Sequence, residues 1–172
     1  MISLYYKQKQ AGVVLIISLI MLLLLTIIGV TAMQVTSLEE KMAGNNKDKN
    51  VAFQAAEAAL RDSEQDIKSS RISGLTSMTA SCTNGLCYNS GTAILHIEDQ
   101  AALVANATGY GNYTAAPNLI GIPAAQQPRY LIVGMKLWPP GAASWKYMYK
   151  VTALAQGGQS TTRSILQEVY AP

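Results

Sequence analysis

The sequence offers few combinations of residues that could perform covalent or metal chemistry. Its single histidine, His96, is followed by Glu98 and Asp99, and on a strand His96 and Glu98 would share a face and could act as an acid/base pair. A histidine at the end of a surface strand is the more ordinary explanation. No Gly-x-Ser-x-Gly, His-Glu-x-x-His or Gly-x-x-x-x-Gly-Lys motif occurs, and a zinc site would need further ligands. We therefore expect no enzymatic activity, no bound metal and no cofactor.

The two cysteines, Cys82 and Cys87, are the only ones in the chain and are separated by Thr-Asn-Gly-Leu. Such a pair can close a small loop in an oxidising compartment, and a pair of free thiols is the alternative. By loop-closure entropy the disulfide would contribute about 2–3 kcal/mol, mainly by holding the loop. The pair therefore favours an exported protein with a small disulfide-closed loop.

One apolar segment near the N-terminus sets the organisation of the chain. Residues 10–38 contain no charge, and residues 13–33 alone number 21. A helix of that length covers about 30 Å, enough to span a bilayer. Because Lys7 and Lys9 precede the segment and the first following charges are acidic, the positive-inside rule places the N-terminus in the cytoplasm. Everything after Leu38 is then expected outside.

A glycine, Gly12, separates the short basic leader from the apolar segment. Cleavage at this point would remove only residues 1–12 and leave the whole helix at a new N-terminus. An ordinary cleaved signal fits less well, because the apolar segment is too long and no small-x-small site ends it before Ala32. An uncleaved signal anchor remains the alternative.

The helix is expected to continue beyond the membrane over residues 39–68, which are rich in strong helix formers. Residues 44–46 (Gly-Asn-Asn) are a weak patch that could loosen or kink it, and residues 69–74 should end it. Apolar side chains at helical spacing form one stripe, which we expect to pack against the head: Phe53, Ala56, Leu60 and Ile67.

The C-terminal region reads as a small antiparallel β-sheet. Runs that alternate in polarity are joined by turn residues and predict three strands, at 130–138, 146–155 and 161–170. A further short strand is expected at 92–97 and a short helix around 99–105. One face of the sheet must be covered, and the apolar stripe of the helix is the available cover. The sequence thus predicts an α+β fold.

Charge and aromatic residues add little about partners. The net charge of +3 includes the two leader lysines, and the remaining near-balance gives no clustered basic face for nucleic acid. Five aromatic side chains in the sheet region could form a subunit-contact or adhesive surface, although packing within the sheet explains most of them: Tyr130, Trp138, Trp145, Tyr147 and Tyr149.

A basic leader that ends in Gly12, followed by about twenty apolar residues and an amphipathic helix, resembles the type IV pilin signature. The block from Glu39 to Leu60, with Glu-Glu-Lys-Met-Ala at its start and Ala-Glu-Ala-Ala-Leu at its end, resembles the PilX-type minor pilins more specifically. The C-terminal residues 149–170 resemble them too. The resemblance implies a pilin-like fold, in which a long N-terminal helix with a transmembrane half and an amphipathic half packs on a small antiparallel sheet.

The resemblance also implies how the chain is processed and what it meets. It divides the chain into a leader (1–12), a transmembrane and polymerisation helix (13–38) and a periplasmic head (39–172) with its β-meander at 128–170. The prepilin peptidase would cleave between Gly12 and Val13, and Val13 would be N-methylated. Implied partners are other minor pilins, the major pilin, the inner-membrane assembly platform and, as an open possibility, a tip adhesin; no direct nucleic-acid binding is expected. The subunit would first sit in the inner membrane and then in the fibre near its tip.

One departure from the pilin pattern is Ile17, where most pilins carry a glutamate. A carboxylate at that depth costs about 2.5–3.5 kcal/mol unless it is paired, and in pilins the partner is thought to be a neighbouring subunit's amine. Our hypothesis is a terminal position in the fibre; relaxed selection is the alternative. Ser18, Thr26 and Gly29 fall on one side of the helix, where small residues allow close helix packing.

Three functions are therefore considered from the sequence. The first is a minor pilin that primes or caps pilus assembly and supports twitching motility, adhesion or DNA uptake. The second is a type II secretion pseudopilin, which shares the leader and the helix. The third is a signal-anchored periplasmic enzyme or sensor, which would need a catalytic constellation that the sequence does not offer and would leave Gly12 unexplained.

Overall fold

The structure is a computed structural model and describes residues 12–88, 104–138, 140–141 and 143–172. Its first element, helix α1, spans Val13–Lys68 without interruption. Residues 44–46, which could have loosened or kinked the helix, are themselves helical; a glycine in a helix interior costs only about 1 kcal/mol and need not break it. The chain divides into two compact units, Met1–Asn45 and Asn46–Pro172.

In the first unit, every described residue is exposed and all but Gly12 are helical. The segment is long and apolar enough to cross a membrane, judged by its length and composition. Beyond the first turn its main-chain N–H groups are satisfied within the helix, which is the condition for placing such a segment in lipid.

The second unit contains the last part of α1, residues 46–68, and a five-stranded sheet that packs against it. Its strands are β1 (Leu86–Tyr88), β2 (Thr108–Gly109), β3 (Arg129–Leu137), β4 (Lys146–Gln156) and β5 (Arg163–Tyr170). The order is β1-β3-β4-β5, with β2 paired to the end of β3. The last three strands form the antiparallel meander expected from the sequence, and the α+β, pilin-like class is confirmed.

The sheet as a whole is mixed, whereas the sequence predicted an antiparallel one. Strand β1 runs parallel to β3, with Leu86 opposite Ile132. A parallel pair needs a long connection, and forty residues separate these two strands in the chain. The strand expected at 92–97 lies outside the described residues, as does most of the expected helix at 99–105; residues 104–106 are helical.

The head has a core on each face of its sheet, because successive side chains of a strand point to opposite sides. Tyr130, Ile132 and Val151 face α1 and are fully buried in the larger cluster. Leu131 and Leu154 face the other way and pack with the two cysteines. The loop between the cysteines thus covers the face that α1 does not.

The face of α1 that packs on the sheet differs from the predicted stripe. Phe53 is 46% exposed and Leu60 is only half-buried, whereas Ala56 and Ile67 are buried. The centre of the buried face lies about a quarter of a turn away from the stripe. It consists of small and acidic residues together with Ile67: Ala52, Ala55, Ala56, Ala59, Asp62, Ser63, Asp66 and Ile67. Alanines bring the helix axis close to the sheet, and a phenylalanine would hold it away.

Candidate assembly interface

The exposed part of α1 is the first candidate for an interaction surface. Gly12 precedes it with a φ of 92°, and its carbonyl accepts the Ile16 N–H at 3.4 Å. Ile17, at the position where most pilins have a glutamate, points outward as one apolar side chain among many. An ideal Cβ on Gly29 would meet no atom within 4 Å. This surface is therefore open for contact with lipid or with another helix.

Hydroxyl groups on this surface already have hydrogen-bond partners within the helix. The Ser18 hydroxyl donates to the Leu15 carbonyl and the Thr26 hydroxyl to the Leu23 carbonyl, each at 2.8 Å. Thr31 makes the same kind of bond one turn further on. Such back-bonding removes the penalty of an unpaired hydroxyl in an apolar setting. These hydroxyl groups consequently need no hydrogen-bond partner from outside the helix.

At its other end α1 is tied to the head through Asp66, whose side chain is fully buried. Its carboxylate accepts a hydrogen bond from Arg71 Nε at 2.8 Å and a second one from Arg71 Nη2. The Tyr130 hydroxyl donates to the same carboxylate at 3.0 Å. Burial, and next the charge of Asp66, raise the pKa of Tyr130, which therefore stays protonated as a donor.

Arg71 carries this contact further into the loops of the head. Its Nη1 donates to the Asn84 carbonyl at 3.1 Å, and its guanidinium lies 3.7 Å from the centre of the Tyr113 ring. A planar guanidinium can satisfy a carboxylate with one edge and stack on an aromatic ring with its face. Arg71 thereby joins the end of α1, the cysteine loop and the loop around Tyr113.

A second buried aspartate, Asp62, lies one turn before Asp66 and holds the loop after β2. It accepts the Gly111 N–H at 2.8 Å and the hydroxyl of Thr114. Burial, and then the nearby charge of Asp62, raise the pKa of Tyr110 in this loop. The sequence analysis did not identify these aspartates. Their spacing, with two acids four residues apart on the alanine side of an amphipathic helix, was the available signal.

The predicted disulfide between Cys82 and Cys87 is present. Within its loop Cys82 and Asn84 adopt left-handed conformations, with φ of 58° and 55°. Asparagine tolerates this region better than most residues, and the Asn84 carbonyl is the one that accepts from Arg71. The disulfide loop is therefore held both covalently and through the Asp66 contact.

A third aspartate, Asp48, joins α1 to the turn between β4 and β5. Its Oδ1 accepts the Gly158 N–H at 2.5 Å and the Gln159 N–H at 3.3 Å. An added Cβ on Gly157 would lie 2.7 Å from the Asp48 carbonyl oxygen, so the close approach requires glycine. The hydrogen bond from Thr162 lowers the pKa of Asp48 from 3.8, and the two N–H groups add to this against the opposing effect of desolvation.

The contact of Asp48 predicts a pH-dependent part of head stability. Since its pKa is lower in the folded than in the unfolded chain, the contribution is fully present above about pH 4 and is lost as the pH falls through the folded value. Thermal unfolding of wild type and Asp48→Asn between pH 2.5 and 6 should show two midpoints that converge at acidic pH. Thr162→Val removes the hydrogen bond that lowers the pKa of Asp48 most, so the Asp48 contribution to stability should be lost at a higher pH. A constant gap between wild type and Asp48→Asn would contradict the prediction.

The five aromatic residues of the sheet region divide into two groups. Tyr130 and Tyr149 are buried in the core, and burial raises the pKa of Tyr149. Trp138, Trp145 and Tyr147 are exposed at the end of the β3–β4 hairpin. Sheet packing thus accounts for Tyr130 and Tyr149, whereas Trp138, Trp145 and Tyr147 are the ones exposed enough to contact another molecule.

His96, Glu98 and Asp99, the one conceivable acid/base cluster, lie outside the described residues. In the part of the chain that the structure describes, no group of three or more histidine, cysteine, aspartate or glutamate side chains is arranged to hold a metal ion. The contacts described above hold helix, loops and sheet together and position no reactive group.

Two family models match this chain and together reach from residue 11 to its end. One, described as PilX N-terminal, matches residues 11–61, and the other, Type IV pilus assembly protein PilX C-term, matches residues 42–172. The chain belongs to the PilX family. The resemblance to PilX-type minor pilins is thereby confirmed, and a PilX protein is a structural component of the type IV pilus. No curated protein and no solved structure matches the chain.

The PilX match accounts for the architecture of the chain. Its N-terminal family model extends from just before α1 into the alanine face, and its C-terminal model takes in the later part of α1 and all five strands. Membrane anchoring and association with other pilins in the pilus are consistent with the apolar helix and with this family.

Proposed function

We propose that this PilX-family protein is a minor pilin that primes or caps type IV pilus assembly by packing α1 against the helices of other pilins. The supporting observation is that residues 13–45 form a mostly apolar helix whose side chains are all exposed in the single chain. A surface of that size and composition needs lipid or protein as a cover. The PilX match favours the pilus over a type II secretion system as its destination.

Processing and location follow from the same helix. We propose that residues 1–12 are the leader, that the prepilin peptidase cleaves between Gly12 and Val13, and that Val13 is N-methylated. Residues 13–38 would first anchor the subunit in the inner membrane with residues 39–172 in the periplasm. On assembly the helix would leave the lipid for the fibre, near its tip, in contact with minor pilins, the major pilin and the assembly platform.

The proposal is tested by the N-terminus of the protein made with and without a prepilin peptidase. With the peptidase, sequencing should find a mature chain that begins at N-methylated Val13; without it, the chain should begin at Met1. A chain that begins at Met1 in both cases, in cells that pilate normally without it, would support the signal-anchored alternative instead.

A larger side chain at Gly29 should impair entry into the pilus. We propose that Ser18, Thr26 and Gly29 form the side of α1 that other pilin helices approach, and Gly29→Leu adds bulk where small residues permit close contact. The amount of subunit in sheared pili, measured by immunoblot, should fall severalfold. Thr31→Leu is the matched control, since Thr31 lies on the opposite side of the helix. Equal incorporation of both variants would count against this side.

The isoleucine at position 17 should restrict where the subunit sits. Because Ile17 offers no carboxylate to a neighbour's N-terminal amine, we propose a terminal position in the fibre. Ile17→Glu should then spread the subunit along the shaft and raise its copy number, as measured by immunogold labelling. A native subunit found throughout the shaft, and unchanged by the substitution, would leave relaxed selection as the explanation.

The cellular output that we propose is twitching motility, adhesion or DNA uptake, each of which depends on an assembled and retractable fibre. A deletion strain complemented by the native chain or by Gly29→Leu should show parallel changes in piliation and in that output. Full output in a deletion strain without pili would contradict the link.

A further inference from the structure

The end of the β3–β4 hairpin carries an exposed group of aromatic side chains with one lysine, which we call the tryptophan patch: Lys136, Trp138, Trp145 and Tyr147. The chain has only two tryptophans, and both are here, each 49% exposed. Their ring centres lie 5.1 Å apart at an angle of 81°, and Lys136 Nζ lies 5.0 Å from the centre of the Trp145 ring. The rings are thus held in one arrangement and still present half of their surface to the outside.

The register of the hairpin places the patch on one face. Lys136 lies directly opposite Tyr147, so their side chains point to the same side of the sheet. On the other side, Leu137 is exposed and lies opposite Lys146. The hairpin end therefore has apolar side chains on both faces, with a lysine beside each group.

Charge is distributed unevenly between this hairpin end and the rest of the chain. Residues 134–150 contain three lysines and no acidic residue. Lys136 and Lys146 lie at the hairpin end, whereas Lys150 lies opposite Val133, in the middle of β3. The hairpin end is therefore locally positive and would attract an anionic surface.

We propose that the end of the β3–β4 hairpin docks onto the surface of an anionic phospholipid bilayer. Tryptophan and tyrosine rings favour the headgroup region, where an apolar ring meets polar groups, and lysines attract anionic lipid. An acidic protein surface is the competing occupant. Protein interfaces, however, are enriched in arginine and depleted in lysine, whereas residues 134–150 contain lysines and no arginine.

Electrostatic attraction sets the expected size of the effect. A lysine close to an anionic membrane surface strengthens binding about fivefold, so Lys136 and Lys146 together contribute about twenty-five-fold at low salt. Added salt screens such attraction within about one Debye length, near 10 Å at 0.1 M. Binding by the hairpin end should therefore depend strongly on both lipid charge and ionic strength.

The full chain, held in a nanodisc of phosphatidylcholine so that α1 is already in lipid, allows a direct test. Vesicles of phosphatidylglycerol with brominated acyl chains are added, and tryptophan fluorescence is measured. Since Trp138 and Trp145 are the only tryptophans of this chain, a nanodisc made with a tryptophan-free scaffold protein gives a signal from the patch alone. We expect quenching and a blue shift with phosphatidylglycerol vesicles, little with brominated phosphatidylcholine vesicles, and reversal by 0.5 M NaCl.

Variants separate the patch from the overall charge of the protein. The triple substitution Lys136→Gln, Lys146→Gln and Lys150→Gln keeps both tryptophans, removes every lysine of residues 134–150 and should weaken binding about twenty-five-fold or more. The control removes three exposed lysines of α1 and gives the same net charge: Lys41→Gln, Lys47→Gln and Lys49→Gln. It should bind as the wild type does. Near-UV circular dichroism checks that both triple variants are folded.

The proposal would be overturned by an absence of quenching with phosphatidylglycerol vesicles, or by an equal loss in the two triple variants. A fluorescence change on mixing with a purified second pilin subunit, without added vesicles and without a response to phosphatidylglycerol, would assign the patch to a protein partner and overturn it as well. These results are independent of whether the chain enters pili, since they do not require assembly.

Discussion

Replacing Asp66 with alanine is expected to lower the free energy of unfolding of the head by about 3 kcal/mol or more. The side chain of Asp66 is completely buried and that of Arg71 is 19% exposed. Without the carboxylate, the guanidinium keeps its position under the loops but loses its counter-charge, and the Tyr130 hydroxyl loses its acceptor. An unpaired charge in such a place costs much more than an exposed one.

Urea unfolding of the full chain in detergent, followed by near-UV circular dichroism of the head aromatics, measures this effect. Glu57→Ala is a matched control on the same helix, because it breaks an exposed ion pair with Arg61 and should cost less than about 1 kcal/mol. Tyr130→Phe should lie between the two, at about 1.5–3 kcal/mol for one hydrogen bond to a charged group. An Asp66→Ala variant as stable as Glu57→Ala would show that the buried contact does not hold the head.

Gly111→Ala is expected to destabilise the head by about 2–4 kcal/mol, for two reasons that act together. Gly111 has a φ of 73°, a conformation that alanine adopts only under strain. A Cβ at this position would also overlap the carbonyl oxygen of Ala116, which is main chain and cannot rotate away. The loop would have to move, and the hydrogen bond from the Gly111 N–H to Asp62 would lengthen or break.

A second glycine separates the two reasons. Gly121 has a φ of 85°, but a Cβ there would meet no atom within 4 Å, so Gly121→Ala should cost only the strain of about 1–2 kcal/mol. Both variants can be compared by the same urea titration. If Gly111→Ala and Gly121→Ala lowered the free energy of unfolding equally, the loop around Gly111 would be able to move without cost. The Asp62 contact would then not depend on the position of that loop.

The elements whose polarity pattern repeats over many residues were predicted well from the sequence. Strands β3, β4 and β5 begin and end within two residues of their predicted limits, because alternation and turn residues are local signals. The short strands β1 and β2 have three and two residues, too few to show a period. Both depend on pairing with β3, more than nineteen residues later in the chain, and no local pattern reveals that partner.

The packing face of α1 shows where local pattern fails. Hydrophobicity selected Phe53 as part of the stripe, yet the sheet contacts the alanine side of the helix. Two aspartates lie on that same side, and a charge on a helix normally indicates a solvated face. Asp62 and Asp66 are buried because Gly111, Thr114 and Arg71 supply donors to them, and none of these is in α1.

By itself, the sequence determined the long helix, its apolar first part, the meander of three strands and the cysteine pair that closes a loop. These depend on interactions between residues close together in the chain, which periodicity and spacing express. Only the tertiary structure decided which side of α1 is covered, where the buried carboxylates find donors, and that Trp138 and Trp145 are exposed while Tyr130 and Tyr149 are not. These features depend on how closely segments that are distant in the chain approach each other. Small side chains allow the close approach, and hydrogen-bond donors from other segments stabilise the buried carboxylates.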